Sequence, residues 1–322
     1  MKDIIVYLDD YKYNEKGNYD IIYLDFRTID DYYFYVNELH LEQTQGTFIE
    51  IDNYHSPKRL VRGAYYALNL EVLKMVESKR NENSFLVGYS YNFSDYDGIR
   101  PDGTQNKTLS LLQSHEPLNP EELKDYGSNK LNEVDELKYI DDLEFRVNDV
   151  GQANWNEVWQ KGMVRLVYDI GAPITASKTK VRGYINQYTT RYANDHPCLV
   201  LSHWDKDHYH CLLGMTDAEI KSFSKFICVD KKMSVTSKQL FLRLKTLLGA
   251  TNVYCISPSA RSSGSDYPLM HEEFANKVVR VFTGESSRST NYSGIVLFVK
   301  GDHGKVVFTG DCLPCQANEV LQ

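Results

Sequence analysis

Residues 202–208 read SHWDKDH, which places His203, Asp205, Asp207 and His208 within six positions. Imidazole nitrogens and carboxylate oxygens together suit divalent ions such as Zn²⁺ and Mn²⁺. On a loop leaving a strand, alternate residues point the same way, and a tight turn brings the next two in behind them. All four donors can then face one small volume. Four ligands exceed what one ion usually takes from a single loop, so the spacing implies two divalent metal ions. Two ions ~3.5–4 Å apart can activate a water and stabilise the leaving oxygen of a phosphodiester. The bland alternative is a polar loop whose carboxylates cap helices and pair with cations.

The flanking sequence supplies elements to hold such a loop. CLVLS, residues 198–202, is a short apolar strand running into the motif. Before it, FRVNDVGQANWNEVWQKGMVRLVYDIG reads as two strands around a turn, closing on Gly171, and a basic amphipathic helix is predicted over about 174–193. After it, Thr216 and Glu219 form a capping box. KFICVD is strand-like, and TSKQLFLRLKTLLG is a helix ending at Gly249. NVYCISP, KVVRVFT, SGIVLFVK and KVVFTGD follow as strands, the last two joined by a hairpin at GDHG. Strands alternating with helices, then a run of hairpin strands, imply sheets with helices packed outside.

Four segments in order resemble one family. NDVGQAN at 148–154, YDIG at 168–171, SHWDKDH, and NYSGIVLF at 291–298 leading to VVFTGDC are similar to the metallo-β-lactamase superfamily, closest to the hydrolase domain of ComEC-type competence proteins. The resemblance implies an α/β, αββα layered sandwich over 144–322, C-terminally incomplete, after an α+β domain at 1–143. It further implies that His203 and Asp205 bind a first metal, Asp207 and His208 a second, and that Asp311 bridges the two. Asp207 would also orient the attacking water and accept its proton. Asp169 and Gly171 would shape the loop beneath the metals, and Asn291 would pin a strand start. Two departures stand out. Ala153 and Asn154 replace a glycine and an acid, and LPCQANEVLQ lacks the further histidine ligand that such relatives carry. His210 reads as surface or supporting, His271 and His303 as loop residues, and Cys312 with Cys315 as an ordinary pair.

The first half is less legible. DIIVYL, YDIIYLDF, YYFYV and TFIEI read as strands, 65–79 as a helix, and 93–130 as a turn-rich loop. No catalytic signature occurs there. Residues 1–150 carry 16 basic and 29 acidic side chains, and residues 151–322 carry 20 and 15. The basic half fits an anionic substrate, nucleic acid included, and the acidic half suits a protein partner. No run of ~18 apolar residues occurs, so no membrane association is expected. Without a secretion signal, and with isolated cysteines, a cytoplasmic location follows as an expectation. The leading function is a metal-dependent phosphodiesterase. The alternatives are hydrolysis of another ester, amide or lactone bond, and an impaired binding or regulatory module needing a partner segment.

Overall fold

The computed structural model describes residues 3–13, 19–42, 47–55, 59–81, 87–92, 109–111, 142–230, 234–262, 264, 266–287 and 291–321. The chain divides into two compact units. One comprises Met1–Pro117 with Met233–Gln239, and the other Leu118–Lys232 with Leu240–Gln322. The sequence places its division later, at 143, and does not assign residues 233–239 to the first unit.

The first unit is a seven-stranded sheet with short helices. Its elements are β1 (Ile4–Tyr13), β2 (Tyr19–Phe26), α1 (Ile29–Glu38), β3 (Thr47–Tyr54), β4 (Tyr65–Leu68), α2 (Leu70–Leu73), β5 (Glu77–Asn81), β6 (Val87–Asn92) and β7 (Leu109–Leu111). The strand order is β5-β6-β3-β2-β1-β4-β7. Ile4, Val6, Leu8, Ile22, Leu24 and Phe26 alternate onto one buried face, where Tyr32, Tyr35 and Val36 of α1 join them. Several of the tyrosines are structural. Tyr35 and Tyr91 pair through their hydroxyls at 2.8 Å, and Tyr19 Oη accepts from Leu60 N at 2.6 Å.

Two local expectations fail here, and a third falls almost wholly outside the described residues. YYFYV is helical, because Thr28 caps α1 by accepting from Asp31 N, and residues 32, 35 and 36 face inward with a helical period. The helix over 65–79 is instead β4, the single turn α2 and β5, since Tyr65–Leu68 pair with β1. Pairing with a distant strand overrides the local pattern. The loop over 93–130 lies almost wholly outside the described residues, and its described part, Leu109–Leu111, is strand β7.

The second unit begins with β8 (Leu143–Val147), β9 (Asn156–Gln160), β10 (Met163–Tyr168), α3 (Lys178–Tyr188), α4 (Tyr192–Asp195) and β11 (Cys198–Val200). It continues with α5 (Lys206–Gly214), α6 (Asp217–Ile220), β12 (Lys225–Val229), α7 (Val235–Leu248, shared with the first unit) and β13 (Val253–Ile256). These strands form one sheet in the order β13-β12-β11-β10-β9-β8, with β10 to β13 parallel. Next come β14 (Met270–Ala275), β15 (Val279–Gly284), β16 (Ile295–Lys300), β17 (Lys305–Phe308) and α8 (Pro314–Leu321). β14 to β17 form an antiparallel sheet in chain order.

The two sheets face each other. Phe308 of β17 stacks on Tyr168 of β10, with centroids 5.3 Å apart, and lies 6.2 Å from Phe145 of β8. Helices cover the outer faces. Val320 of α8 packs on Phe282, Val296 and Phe298 of the smaller sheet. On the larger sheet, Trp204 lies between Phe226 of β12 and Phe241 of α7. The class is mixed α/β, as the sequence predicts, with two sheets between helices. The basic helix is shorter than its predicted span, ending at Tyr188 with the separate turn α4 after it.

Candidate metal centre

Parallel strands converge their carboxyl ends, and the SHWDKDH residues stand at that edge. After β11, Ser202 and His203 form the loop, Asp205 occupies the N-cap position of α5, and Asp207 and His208 lie in its first turn. The second half of the motif is thus helical rather than loop. A helix start favours carboxylates because its free N–H groups point outward.

Asp169 ends β10 with a left-handed backbone, φ 61°, a conformation that Asp tolerates better than most residues. The turn aims its carboxylate beneath the motif. Asp169 Oδ1 accepts Ser202 N at 2.7 Å, and Oδ2 lies 2.8 Å from Ser202 Oγ and 2.9 Å from His208 Nδ1. Ser202 Oγ has one proton, and giving it to Asp169 leaves that oxygen to accept from His203 Nδ1, 2.9 Å away. In their neutral forms both imidazoles would then carry the proton on Nδ1 and leave the Nε2 lone pair on the opposite side for a cation. The rings stand with centroids 3.9 Å apart.

Asp311 reaches these rings from the smaller sheet. The turn after β17 depends on Gly310, φ 53°, where a Cβ would meet Ser202 Cβ and Oγ at 2.9 Å. Asn291 Nδ2 donates to Asp311 Oδ2 at 3.2 Å, so its side chain supports the site directly. The segment holding Asn291 is itself fixed. Ile295 N donates to Ser202 O at 2.8 Å, and Ser293 Oγ donates to Glu285 O at 2.9 Å.

The donors meet a simple distance test. Ligand atoms held ~2.0–2.2 Å from one shared ion cannot lie much more than ~4.2 Å apart. His203 Nε2 is 3.3 Å from Asp205 Oδ2 and 4.0 Å from Asp311 Oδ2. His208 Nε2 is 3.9 Å from Asp207 Oδ1 and 3.5 Å from Asp311 Oδ1. Asp205 thus lies beside His203, Asp207 beside His208, and Asp311 near both rings. His203, His208 and Asp311 also form one group of atoms within 4.8 Å of one another. Buried polar atoms ordinarily find partners. His203 Nε2, although buried, makes no hydrogen bond in the structure.

The electrostatics favour a cation. Burial pushes the His208 pKa down, but the carboxylates of Asp169 and Asp207 outweigh it and hold the ring well above its ordinary value. The His208 hydrogen bond in turn lowers Asp311 below the usual carboxylate range, against its burial. A pocket that stabilises positive charge on His208 stabilises a bound cation by the same Coulombic term.

Other residues singled out by the sequence fall elsewhere. Gly171 lies under α5, where a Cβ would sit 1.8 Å from Asp207 O. Asn154, one of the two departures, places Nδ2 3.5 Å from His208 Nδ1. His210 is buried rather than at the surface. It engages Pro173 O through Nδ1 at 3.0 Å, and burial pushes its pKa down to about 4. His271 pairs with Glu285 at 3.3 Å, and His303 is exposed in the β16–β17 turn, so neither joins the cluster. Cys312 and Cys315 are free, half-buried thiols, with burial raising Cys312 to about 11. Ser202 and Gly310 were not singled out by the sequence, because a serine at a strand end and a glycine before an aspartate are common. Among the described residues, no helix is long and apolar enough to cross a membrane. No protein-family model matches this chain, and no curated protein matches it.

Proposed function

We propose that the second unit is a dinuclear metal-dependent hydrolase of the metallo-β-lactamase type, cleaving a phosphodiester of a nucleic acid or nucleotide. One observation carries the reading. His203, His208 and Asp311, from two separate segments, bring ligand atoms within 4.8 Å of one another, with Asp205 beside His203, Asp207 beside His208, and His203 Nε2 buried without a hydrogen bond. His203 and Asp205 would hold one Zn²⁺ or Mn²⁺, Asp207 and His208 a second, and Asp311 both. Bound there, the two ions supply a Lewis acid and a water nucleophile at neutral pH.

The chain's own residues set the geometry. Asp169 and Ser202 fix the tautomer and tilt of both imidazoles, so no reorientation accompanies catalysis. His203, Asp205 and His208 are at most 1% exposed, whereas the side chains of Asp207 and Asp311 are 16% and 32% exposed. Substrate therefore meets Asp207 and Asp311 first. Asp207 would orient the attacking water and accept its proton.

The test is metal content by mass spectrometry, before and after incubation with Zn²⁺ or Mn²⁺, paired with hydrolysis of bis(p-nitrophenyl) phosphate. Near two ions per chain is the expected result. Asp207→Ala and His208→Ala should each lose turnover while keeping the circular dichroism of the parent. Near-zero metal after reconstitution, or normal turnover in both variants, overturns the assignment. A second reading, a metal-holding module without turnover, draws on the absence of a third histidine from the cluster among the described residues. Metal binding without hydrolysis across ester, lactam and phosphodiester reporters would select it.

A further inference from the structure

Helix α3 packs beside α5, the helix that carries Asp207 and His208, with Arg182 Nη1 donating to Gly214 O at the end of α5 at 3.2 Å. Its inward side is apolar, with Val181 and Ile185 both buried. A different set of side chains runs along an adjoining stripe at one-turn intervals. Lys180, exposed, places its ammonium 5.8 Å from the Tyr184 ring centroid. Tyr184 and Tyr188, both half-exposed, hold their rings nearly parallel, 19° between planes and 6.4 Å between centroids. Tyr188 abuts the buried Trp155 edge-on at 5.4 Å. Trp155 follows Asn154, whose side chain lies 3.5 Å from His208 Nδ1. The stripe therefore ends at the loop that supports His208 from its Nδ1 side.

The charges carried by α3 itself have one sign, while Asp149 and Glu157 lie near Tyr188 at its far end. From Ile170 to Asn194 the sequence holds Lys178, Lys180, Arg182 and Arg191 and no acidic residue. Arg182 is engaged by Glu219, whereas Lys178 and Lys180 are exposed. Asp149, near Tyr188, turns its carbonyl to the Tyr188 hydroxyl and engages Gly151 N through Oδ1. One ammonium group followed by two half-exposed rings at one-turn intervals suits single-stranded nucleic acid. Its bases stack on aromatic faces without regard to sequence, and its phosphates need cations.

We propose that Lys180, Tyr184 and Tyr188 form a stacking platform on α3 that holds single-stranded nucleic acid beside the metal centre. This rests on the reading that the centre takes phosphodiesters, and it names both the polymer and the residues that grip it. Duplex DNA keeps its bases stacked internally and gains only the phosphate contacts, so the platform discriminates between the two forms.

The test is fluorescence anisotropy with the full chain and a 5′-labelled oligothymidylate in EDTA, so that the readout depends on neither metal nor turnover. Tyr184→Ala should weaken binding about ten-fold, and Tyr188→Ala similarly, in line with the loss of one stacked base. Lys180→Ala should reduce the slope of log affinity against log salt by about 0.7. Hydrolysis of bis(p-nitrophenyl) phosphate should be unchanged in Tyr184→Ala. Equal affinity of the parent and both tyrosine variants overturns the proposal. Binding of a duplex of the same length as tightly as the single strand overturns it too, as does absence of binding at low salt. Binding that follows these expectations in a protein that takes up no metal would leave the platform standing and remove the hydrolase reading instead.

Discussion

Gly171 gives the sharpest handle on how the proposed metal centre is built. Its backbone passes directly beneath the first turn of α5, with Ile170 N donating to His208 O at 2.9 Å and Gly171 N to Asn154 O at 2.8 Å. In Gly171→Ala the new Cβ would lie 1.8 Å from Asp207 O and 2.8 Å from Asn154 O, whereas real contacts of this kind essentially never fall below 3.0 Å. Both obstacles are backbone, so no side chain can swing aside. Clearing the nearer one moves the carbonyl of Asp207 by at least about 1.2 Å (from 1.8 to 3.0 Å), and Asp207 and His208 move with it. Overpacking of this kind costs ~1–3 kcal/mol, and each kcal/mol lowers the melting temperature of a unit this size by about 2–4 °C. Misplacement near 1 Å also costs on the order of 10²-fold in rate. The assay is metal stoichiometry and turnover, with a thermal melt. Gly183→Ala is the control, because its Cβ meets nothing within 4 Å and the helix should gain up to ~1 kcal/mol. A Gly171→Ala protein with parental metal content, turnover and melting temperature would refute the close approach of these segments.

Asp169→Asn keeps the shape and tolerates the left-handed turn, but it replaces an acceptor with a donor facing Ser202 Oγ or His208 Nδ1. Metal affinity, read by chelator competition, should fall about 10–100-fold; unchanged affinity would show that Asp169 does not set the ligand tautomers. Glu285 is buried and bound by Ser262 Oγ, Ser262 N and Leu269 N, with His271 beside it. Burial pushes its carboxyl up, but these hydrogen bonds together outweigh it and hold the pKa at about 2. The folded value lies below the unfolded one, near ~4.3. The stabilisation is therefore complete above about pH 4.3 and is lost as pH falls through about 2. Melts of Glu285→Gln should lie below the parent at pH 7, with the gap closing in acid; a gap constant with pH would contradict this. Asn291→Ala removes the amide that holds Asp311 Oδ2. It should weaken metal retention during dialysis against chelator more than it lowers the melting temperature.

Much of the second unit is legible in the residues themselves. The capping box at Thr216 and Glu219 is present in both directions, and the GDHG hairpin joins β16 and β17. These succeed because their information is local: a hydroxyl and a carboxylate three residues apart, or two strands joined by a glycine turn. The same holds for the crowding of His203, Asp205, Asp207 and His208, which needs only one loop and one helix start. Where the information is not local, the sequence misleads or is silent. YYFYV has strand-like residues but folds as α1, because Thr28 caps it and the sheet beneath takes its Tyr32, Tyr35 and Val36 face. Residues 65–79 carry a helical apolar stripe, yet Tyr65–Leu68 belong to β1 as a sheet partner.

The chain alone determines which side chains can bind a cation, that they are imidazoles and carboxylates, and that four of them arrive together. Only the tertiary structure decides that Asp311, over a hundred residues away, approaches the two rings from a second sheet. It also decides that Ser202 and Asp169 orient those rings. The reason is physical: a donor's type is covalent and written in the sequence, but the few ångströms that bring Asp311 to His203 and His208 are set by two sheets packing face to face.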